Sequence, residues 1–120
     1  VTGQWYTENN KSVIEIFKKE GRYFGKIVWI KPDFYENGHP PVDDKNPDPA
    51  LHNQSLIGLV IMFDFEYTGE NVWNNGKVYD PETGNTYSVK LTFVDNNTLK
   101  ARGYIGFSWI GRDTIWKRKK

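Results

Sequence analysis

The sequence predicts an all-β fold, a single up-and-down antiparallel β-barrel or strongly curled sheet of about eight strands. Short segments of alternating apolar and polar residues recur along the chain, and turn-forming residues separate them at nearly regular intervals. No segment combines a 3.6-residue apolar period with helix caps. Together these observations favour consecutive strands that pair with their neighbours in one sheet.

The clearest element is a hairpin around residues 80–84. Pro81 presets φ for a turn, Asp80 can cap that turn, and Gly84 accepts a positive φ. The run that follows places polar residues between Tyr87, Val89, Leu91 and Phe93. This alternation is typical of a half-buried strand.

The remaining strands are predicted from the same signals. A long strand is predicted over residues 56–67, with Ile57, Leu59, Ile61, Phe63, Phe65 and Tyr67 on one face. Asn-Asn-Gly at 74–76 predicts a turn that leads into a strand beginning at Lys77. Further strands are predicted at residues 5–6, 12–18, 22–30, 98–104 and 112–118.

The exception to this regular pattern lies between Lys31 and Gln54. Five prolines in this segment forbid a regular strand or helix through most of it. A loop of this length in a compact domain is uncommon and is often functional. Two interpretations stay open at equal weight, namely a functional loop and a lid that covers an open barrel end.

Composition limits the classes of function. The 120 residues suit one domain, here residues 1–120 as a single β-barrel domain. The net charge of +1 gives no electrostatic case for nucleic acid. No apolar run reaches the length of a membrane span, and the absence of cysteine excludes disulfides and thiolate sites. The first residue is Val1 rather than Met, as removal of a leader or simple trimming would leave it.

Two features resemble the calycins, the superfamily of lipocalins, fatty-acid-binding proteins and avidins. Gly3-x-Trp5 stands at the first strand, and Arg118 stands near the end of the last strand. The resemblance implies that Gly3, Trp5 and Arg118 close the bottom of the barrel, with the guanidinium over the indole in a cation–π contact worth about 1 kcal/mol. It assigns these three residues a structural role and no ligand.

A second resemblance covers almost the whole chain. The sequence is similar to the bacterial domain-of-unknown-function family numbered 2147 in the segments Gly3-x-Trp5, Ile27-Val28-Trp29, Asn46-Pro47-Asp48-Pro49, Gly76-Lys77-Val78-Tyr79-Asp80-Pro81, Leu99-x-x-Arg102-Gly103-Tyr104 and Trp116-x-Arg118. This resemblance implies a small exported protein of the periplasm or cell envelope with a calycin-like fold. The family has no established activity or cofactor that the resemblance could carry over to this chain.

The long loop also carries the only residues that suggest metal binding or catalysis. Asp44, Asn46 and Asp48 offer oxygen ligands at alternate positions, but Pro49 stands where a calcium loop needs glycine. His39 and His52 are the only histidines, and no Gly-x-Ser-x-Gly nucleophile elbow accompanies them. We therefore predict no catalytic residues, no metal and no cofactor, although an enzyme built on this loop stays a third hypothesis.

The first hypothesis is a non-enzymatic binding protein for a small, partly apolar ligand inside the barrel. The residues predicted to line that site are the aromatic ones assigned to inward faces, Trp29, Phe63, Phe65, Tyr67 and Tyr87. So many large rings could instead fill the interior completely. The second hypothesis is therefore a cell-envelope interaction module with a filled barrel, which binds through exposed rings at Tyr35, Trp73, Tyr79 and Trp109.

Overall fold

The computed structural model describes residues 1–104 and 112–120. Eight antiparallel strands form a closed barrel in the order of the chain, and β8 pairs with β1 to complete it. The strands are β1 (Gly3–Tyr6), β2 (Ser12–Lys19), β3 (Arg22–Ile30), β4 (Val60–Gly69), β5 (Val72–Asp80), β6 (Asn85–Asp95), β7 (Thr98–Tyr104) and β8 (Arg112–Arg118). The predicted all-β, up-and-down antiparallel barrel is confirmed.

Short 3-10 segments stand in the connections at one end of the barrel. They are Glu8–Asn10 between β1 and β2, and Pro32–Phe34 and Pro49–Leu51 between β3 and β4. None of the helices in the described ranges is long and apolar enough to cross a membrane. We call the end that carries these connections and the β5–β6 turn the open end, and the opposite end, where both chain termini lie, the closed end.

The fourth strand begins later than the sequence predicts. Residues 56–59 form a turn, in which Leu59 N–H donates to the Leu56 carbonyl and Gly58 has φ of 93°. The strand proper starts at Val60, and Asp64 interrupts it with φ of 61°. Because of this irregularity, the predicted strict alternation from Ile57 to Tyr67 is wrong.

The predicted turn at residues 74–76 is also wrong. β5 runs continuously from Val72, and Asn75 with φ of 63° accompanies a register shift inside it. The actual turn lies just before β5, at Glu70 and Asn71, which both adopt positive φ. Two consecutive positive φ values are typical of the tight turns that match strand twist in hairpins.

Two glycines allow large side chains to fill the middle of the barrel. The Phe65 ring lies against Gly76, where any Cβ would collide with it. Met62 lies against Gly25, where a Cβ would stand 2.5 Å from the Met62 Sδ. The absence of a side chain at each glycine thus makes room for a neighbour that is fully buried.

Candidate functional site

The closed end is sealed by a contact between the first and last strands. Arg118 Cζ lies 4.3 Å from the centroid of the Trp5 ring. The same guanidinium donates from Nε to the Asn96 carbonyl at 2.6 Å and from Nη1 to the Thr2 carbonyl at 2.9 Å. Gly3 has φ of 116°, and a Cβ there would stand 2.7 Å from Arg118 Nη1. The structural role assigned to Gly3, Trp5 and Arg118 stays a prediction, and this geometry is its basis.

Further aromatic rings pack at the closed end, beside the contact between Trp5 and Arg118. Trp73 contacts Tyr67, Tyr23 and Phe93 with ring centroids 4.6, 5.8 and 6.4 Å away. Only 7% of Trp73 is exposed, so it is not the surface ring that the interaction hypothesis required. Trp109 of that hypothesis lies outside the described residues.

The large rings do not fill the other half of the barrel. A cavity of about 700 Å³ extends from the middle of the barrel to the open end. Its walls are mainly aliphatic, with Trp116 among their aromatic rings, and include Ile14, Ile27, Ile30, Ile61, Val78, Val89 and Ala101. A volume of a few hundred Å³ with apolar walls is the usual form of a small-molecule site.

Among the residues predicted to contact a ligand, Tyr87 lines the cavity and the other four do not. Phe65 is fully buried over Gly76, and Phe63 is half-buried. Tyr67 is 51% exposed and packs on Trp73 at the closed end. Trp29 lies edge-on against Tyr6 and is 37% exposed. The ligand-binding role of these residues stays a prediction, and Tyr87 is the one placed to fulfil it.

A β-bulge explains the position of Trp29. Val13 pairs with Trp29 whereas Ile14 pairs with Ile27, so β3 carries one extra residue at this point. An extra residue shifts the side chains on one side of it to the opposite face. The prediction favours aromatic rings as ligand contacts and therefore omits the aliphatic wall residues. Val89 shares the alternating apolar positions with Tyr87, and that alternation could have identified it.

The long connection between β3 and β4, residues 31–59, lies across the open end, and we call it the lid. It is held together by Asp43 N–H, which donates to the Gln54 carbonyl, and by Leu56 N–H, which donates to the Pro41 carbonyl. Its inner side forms part of the cavity wall through Phe34, Pro41, Val42, Lys45 and Leu56. This geometry favours the lid interpretation of the segment between Lys31 and Gln54.

One buried carboxylate fastens the lid to the barrel. Asp43 is 1% exposed, and its Oδ1 accepts a 2.6 Å hydrogen bond from the Tyr79 hydroxyl on β5. Its Oδ2 accepts a 2.9 Å bond from Asn46 Nδ2. Both carboxylate oxygens are therefore satisfied, as a buried charge requires. We call the Asp43–Tyr79 pair the latch.

The latch changes the acidity of the tyrosine. Burial, the hydrogen bond to Asp43 and the negative charge of that carboxylate raise the pKa of Tyr79 to about 12. In the unfolded chain a tyrosine has a pKa of about 10. The folded state therefore binds more protons than the unfolded state between these two values, and stability falls as pH rises through this window.

We accordingly expect the free energy of unfolding to decrease between about pH 10 and pH 12. Denaturant titrations at several pH values measure this slope. Tyr79→Phe should be less stable below this window by about 1–3 kcal/mol, because it leaves one oxygen of a buried carboxylate without its donor. In this variant, the free energy of unfolding should also lose the part of its decrease at alkaline pH that ionisation of Tyr79 causes. An unchanged slope in Tyr79→Phe would contradict this account of the latch.

The other polar residues of the lid serve its own turns. Asp48 Oδ1 accepts from Ala50 N–H, and Asn46 Oδ1 accepts from Asp48 N–H. His52 Nε2 is 2.7 Å from the Asn46 carbonyl. In residues 1–104 and 112–120, no three acidic or histidine side chains are grouped as metal ligands would be.

Comparison with known proteins supports the fold. The model of a family described as "Uncharacterized protein conserved in bacteria (DUF2147)" matches residues 3–118. The structure is similar to that of protein HP1028 from the human pathogen Helicobacter pylori, which belongs to the lipocalin family. The TM-score is 0.87 at 26% sequence identity, over 99% of this chain and 82% of that one. A search of curated proteins found no significant match.

Proposed function

Since this chain belongs to the DUF2147 family of uncharacterised bacterial proteins, and its barrel is similar to that of a lipocalin-family protein, we propose that it binds a small, partly apolar molecule in the barrel. The observation that carries this proposal is the cavity of about 700 Å³ beneath the lid. Pockets for small organic molecules commonly occupy about 300–1,000 Å³ and are mostly apolar.

The distribution of polar groups fits the same function. Aliphatic side chains form the inner wall, whereas charged side chains of Glu8, Lys11, Asp44, Lys45 and Arg112 border the cavity at the open end. Arg112 and Glu8 pair with each other at 3.1 Å. An apolar interior with a polar border suits a ligand whose body is apolar and whose other end reaches water.

We propose that binding occurs without catalysis. In the described part of the chain, neither histidine donates to or accepts from a carboxylate or hydroxyl group. A general base needs such a partner or a substrate proton within hydrogen-bond reach. The lid histidines therefore offer no support for the enzyme hypothesis.

Filling the cavity should abolish binding. Ala101 is 6% exposed and lines the cavity, so Ala101→Phe places a ring in the space that a ligand would occupy. We expect this variant to bind the apolar fluorescent probe N-phenylnaphthylamine at least tenfold more weakly than the unaltered protein, as a fluorescence titration would measure. The matched control is Ile115→Phe, because Ile115 is 42% exposed and does not line the cavity. Equal affinity in both variants would contradict binding inside the barrel.

The outer face favours an alternative, an envelope module that binds a partner through its surface. Phe17 and Phe24 are half-buried and stack with centroids 5.9 Å apart, and Trp29 on β3 is 37% exposed. Exposed rings on one face are typical of interaction surfaces. Loss of a captured envelope partner in Phe24→Ser, with unchanged probe binding, would favour this alternative.

We further propose that the protein acts after export, in the periplasm or cell envelope. The support for this is the resemblance to small exported proteins described above. Fractionation of bacteria that express the complete gene product tests it. Recovery of the protein in the periplasmic fraction is the expected result, and recovery only with cytoplasmic markers would contradict it.

A further inference from the structure

Three of the tryptophans that the structure describes are buried, and they differ in what their indole N–H groups reach. The N–H of Trp5 donates to the Val1 carbonyl at 2.8 Å. The N–H of Trp73 is enclosed and has no acceptor. The N–H of Trp116 donates to none of the described residues, and its side chain lines the cavity. Of these three, Trp116 is therefore the tryptophan whose side chain borders space that another molecule can enter.

The position of Trp116 shows where that donor lies. Trp116 is on β8 opposite Leu99, and both side chains are buried inside the barrel. Its neighbour Ile115 points outward and is 42% exposed. Trp116 lines the cavity, whereas Trp73 does not. It also precedes Arg118 by two residues, about 7 Å along the strand, so it belongs to the deep part of the cavity.

The wall around Trp116 is mainly apolar, and its polar neighbour on the same face of β8 is Thr114. The nearby wall residues Ile14, Val89 and Ala101 carry no polar side-chain atom. The Ala101 carbonyl already accepts a hydrogen bond from Thr114 Oγ1 at 3.4 Å. A donor in apolar surroundings is costly when it stays unpaired, so a molecule that brings an acceptor gains more than a plain hydrocarbon does.

We propose that the ligand is a largely apolar molecule with a hydrogen-bond acceptor oxygen, of the carbonyl or ether kind, at the end that enters first. That oxygen accepts from Trp116 Nε1–H at the bottom of the cavity. Tyr87 lines the cavity nearer the open end, and its hydroxyl, which has no partner in the described residues, is a second donor for the same molecule. This inference rests on the proposed function and adds the chemical class of the ligand.

Two probes of similar size separate the hydrogen bond from simple apolar contact. Prodan is a naphthalene that carries a ketone, whereas N-phenylnaphthylamine carries no carbonyl. Trp116→Phe retains an aromatic ring and removes only the N–H. We expect it to weaken Prodan binding by about tenfold more than N-phenylnaphthylamine binding, the worth of one hydrogen bond in an apolar site.

The chain offers a matched control and a second readout. Trp73→Phe removes the other unpaired indole N–H, which lies outside the cavity, and should leave the ratio of the two affinities unchanged. In the unaltered protein, the Trp116 indole N–H resonance should move downfield with Prodan and not with N-phenylnaphthylamine. This second measurement does not depend on the stability of any variant.

The outcomes are distinct. If both probes bind but Trp116→Phe weakens them equally and the Trp116 resonance ignores Prodan, the inference is overturned while the proposed function stands. If neither probe binds the unaltered protein, the proposed function fails and the inference fails with it.

Discussion

Replacing Trp5 with alanine should lower the free energy of unfolding by about 4 kcal/mol, the upper part of the range for a large buried aromatic residue. Trp5 is fully buried, contacts Phe93 edge-on at 6.2 Å and supplies the ring that faces Arg118. Its removal leaves a cavity at the closed end and leaves the Val1 carbonyl without its donor. Chemical denaturation with fluorescence detection from the remaining tryptophans measures the loss.

The partner of Trp5 provides the control for this prediction. Arg118→Ala should cost about 2 kcal/mol, since it removes a cation–π contact and two charge-assisted hydrogen bonds to carbonyl groups. Arg118→Lys should recover only part of this, because the ammonium keeps the charge but lacks the planar fork that reaches both carbonyls. Lys117→Ala alters a neighbouring exposed cation and should have little effect.

In the double variant of Trp5 and Arg118, the losses should not add, because the two side chains share one contact. Strictly additive losses would contradict the account of the closed end.

Gly76→Ala should lower the free energy of unfolding by about 2–3 kcal/mol, although alanine is usually the better strand residue. A Cβ at position 76 would collide with the ring of Phe65, which is fully buried and cannot move into solvent. The ring must shift in a core that is packed on all sides. Thermal and denaturant unfolding of the variant measure the effect.

Gly103→Ala is the matched control for Gly76→Ala. Gly103 also lies within a strand, and no atom of the described residues stands within 4 Å of a Cβ placed there. This substitution should be neutral or stabilising by about 0.5–1 kcal/mol. A second test combines Gly76→Ala with Phe65→Leu, which makes room for the new methyl group. The combined variant should be more stable than the sum of the two single losses predicts.

The sequence predicted the architecture because the signals for it are local. Alternation along β6 and the Asp80–Gly84 turn follow from neighbouring residues alone. The errors arose at three irregularities, the extra residue near Trp29 and the positive φ values at Asp64 and Asn75. Near Trp29 and at Asp64 the amino-acid pattern does not differ from that of a regular strand. At Asn75 the Asn-Asn-Gly pattern indicates an irregularity, but it does not distinguish a register shift inside a strand from a turn.

The cavity could be predicted only in part, because it depends on where the aromatic residues lie along the barrel and not on how many there are. Trp5, Phe65, Trp73 and Phe93 gather in the middle and closed end of the barrel. The cavity wall is therefore left mainly to aliphatic side chains, with the rings of Phe34, Tyr79, Tyr87 and Trp116 among them. A count of aromatic residues suggests a filled interior because it carries no information about the end at which the rings lie.

The latch was equally hidden from the sequence. Asp43 and Tyr79 lie 36 residues apart, and Asp43 is one of several acids in a loop that reads as solvated. Its burial depends on the path that the lid takes across the open end, which is a tertiary property. The resemblance to the family identified the neighbouring segments without assigning the contact between them.

A crystal structure of the protein grown with N-phenylnaphthylamine tests the central claim most directly. We predict that the probe lies inside the barrel, between Ile14, Val89 and Trp116, with Val42 of the lid above it. An interior filled by side chains, or a probe found only on the outer face of the barrel, would contradict the claim that this protein is a binding protein with its site in the cavity.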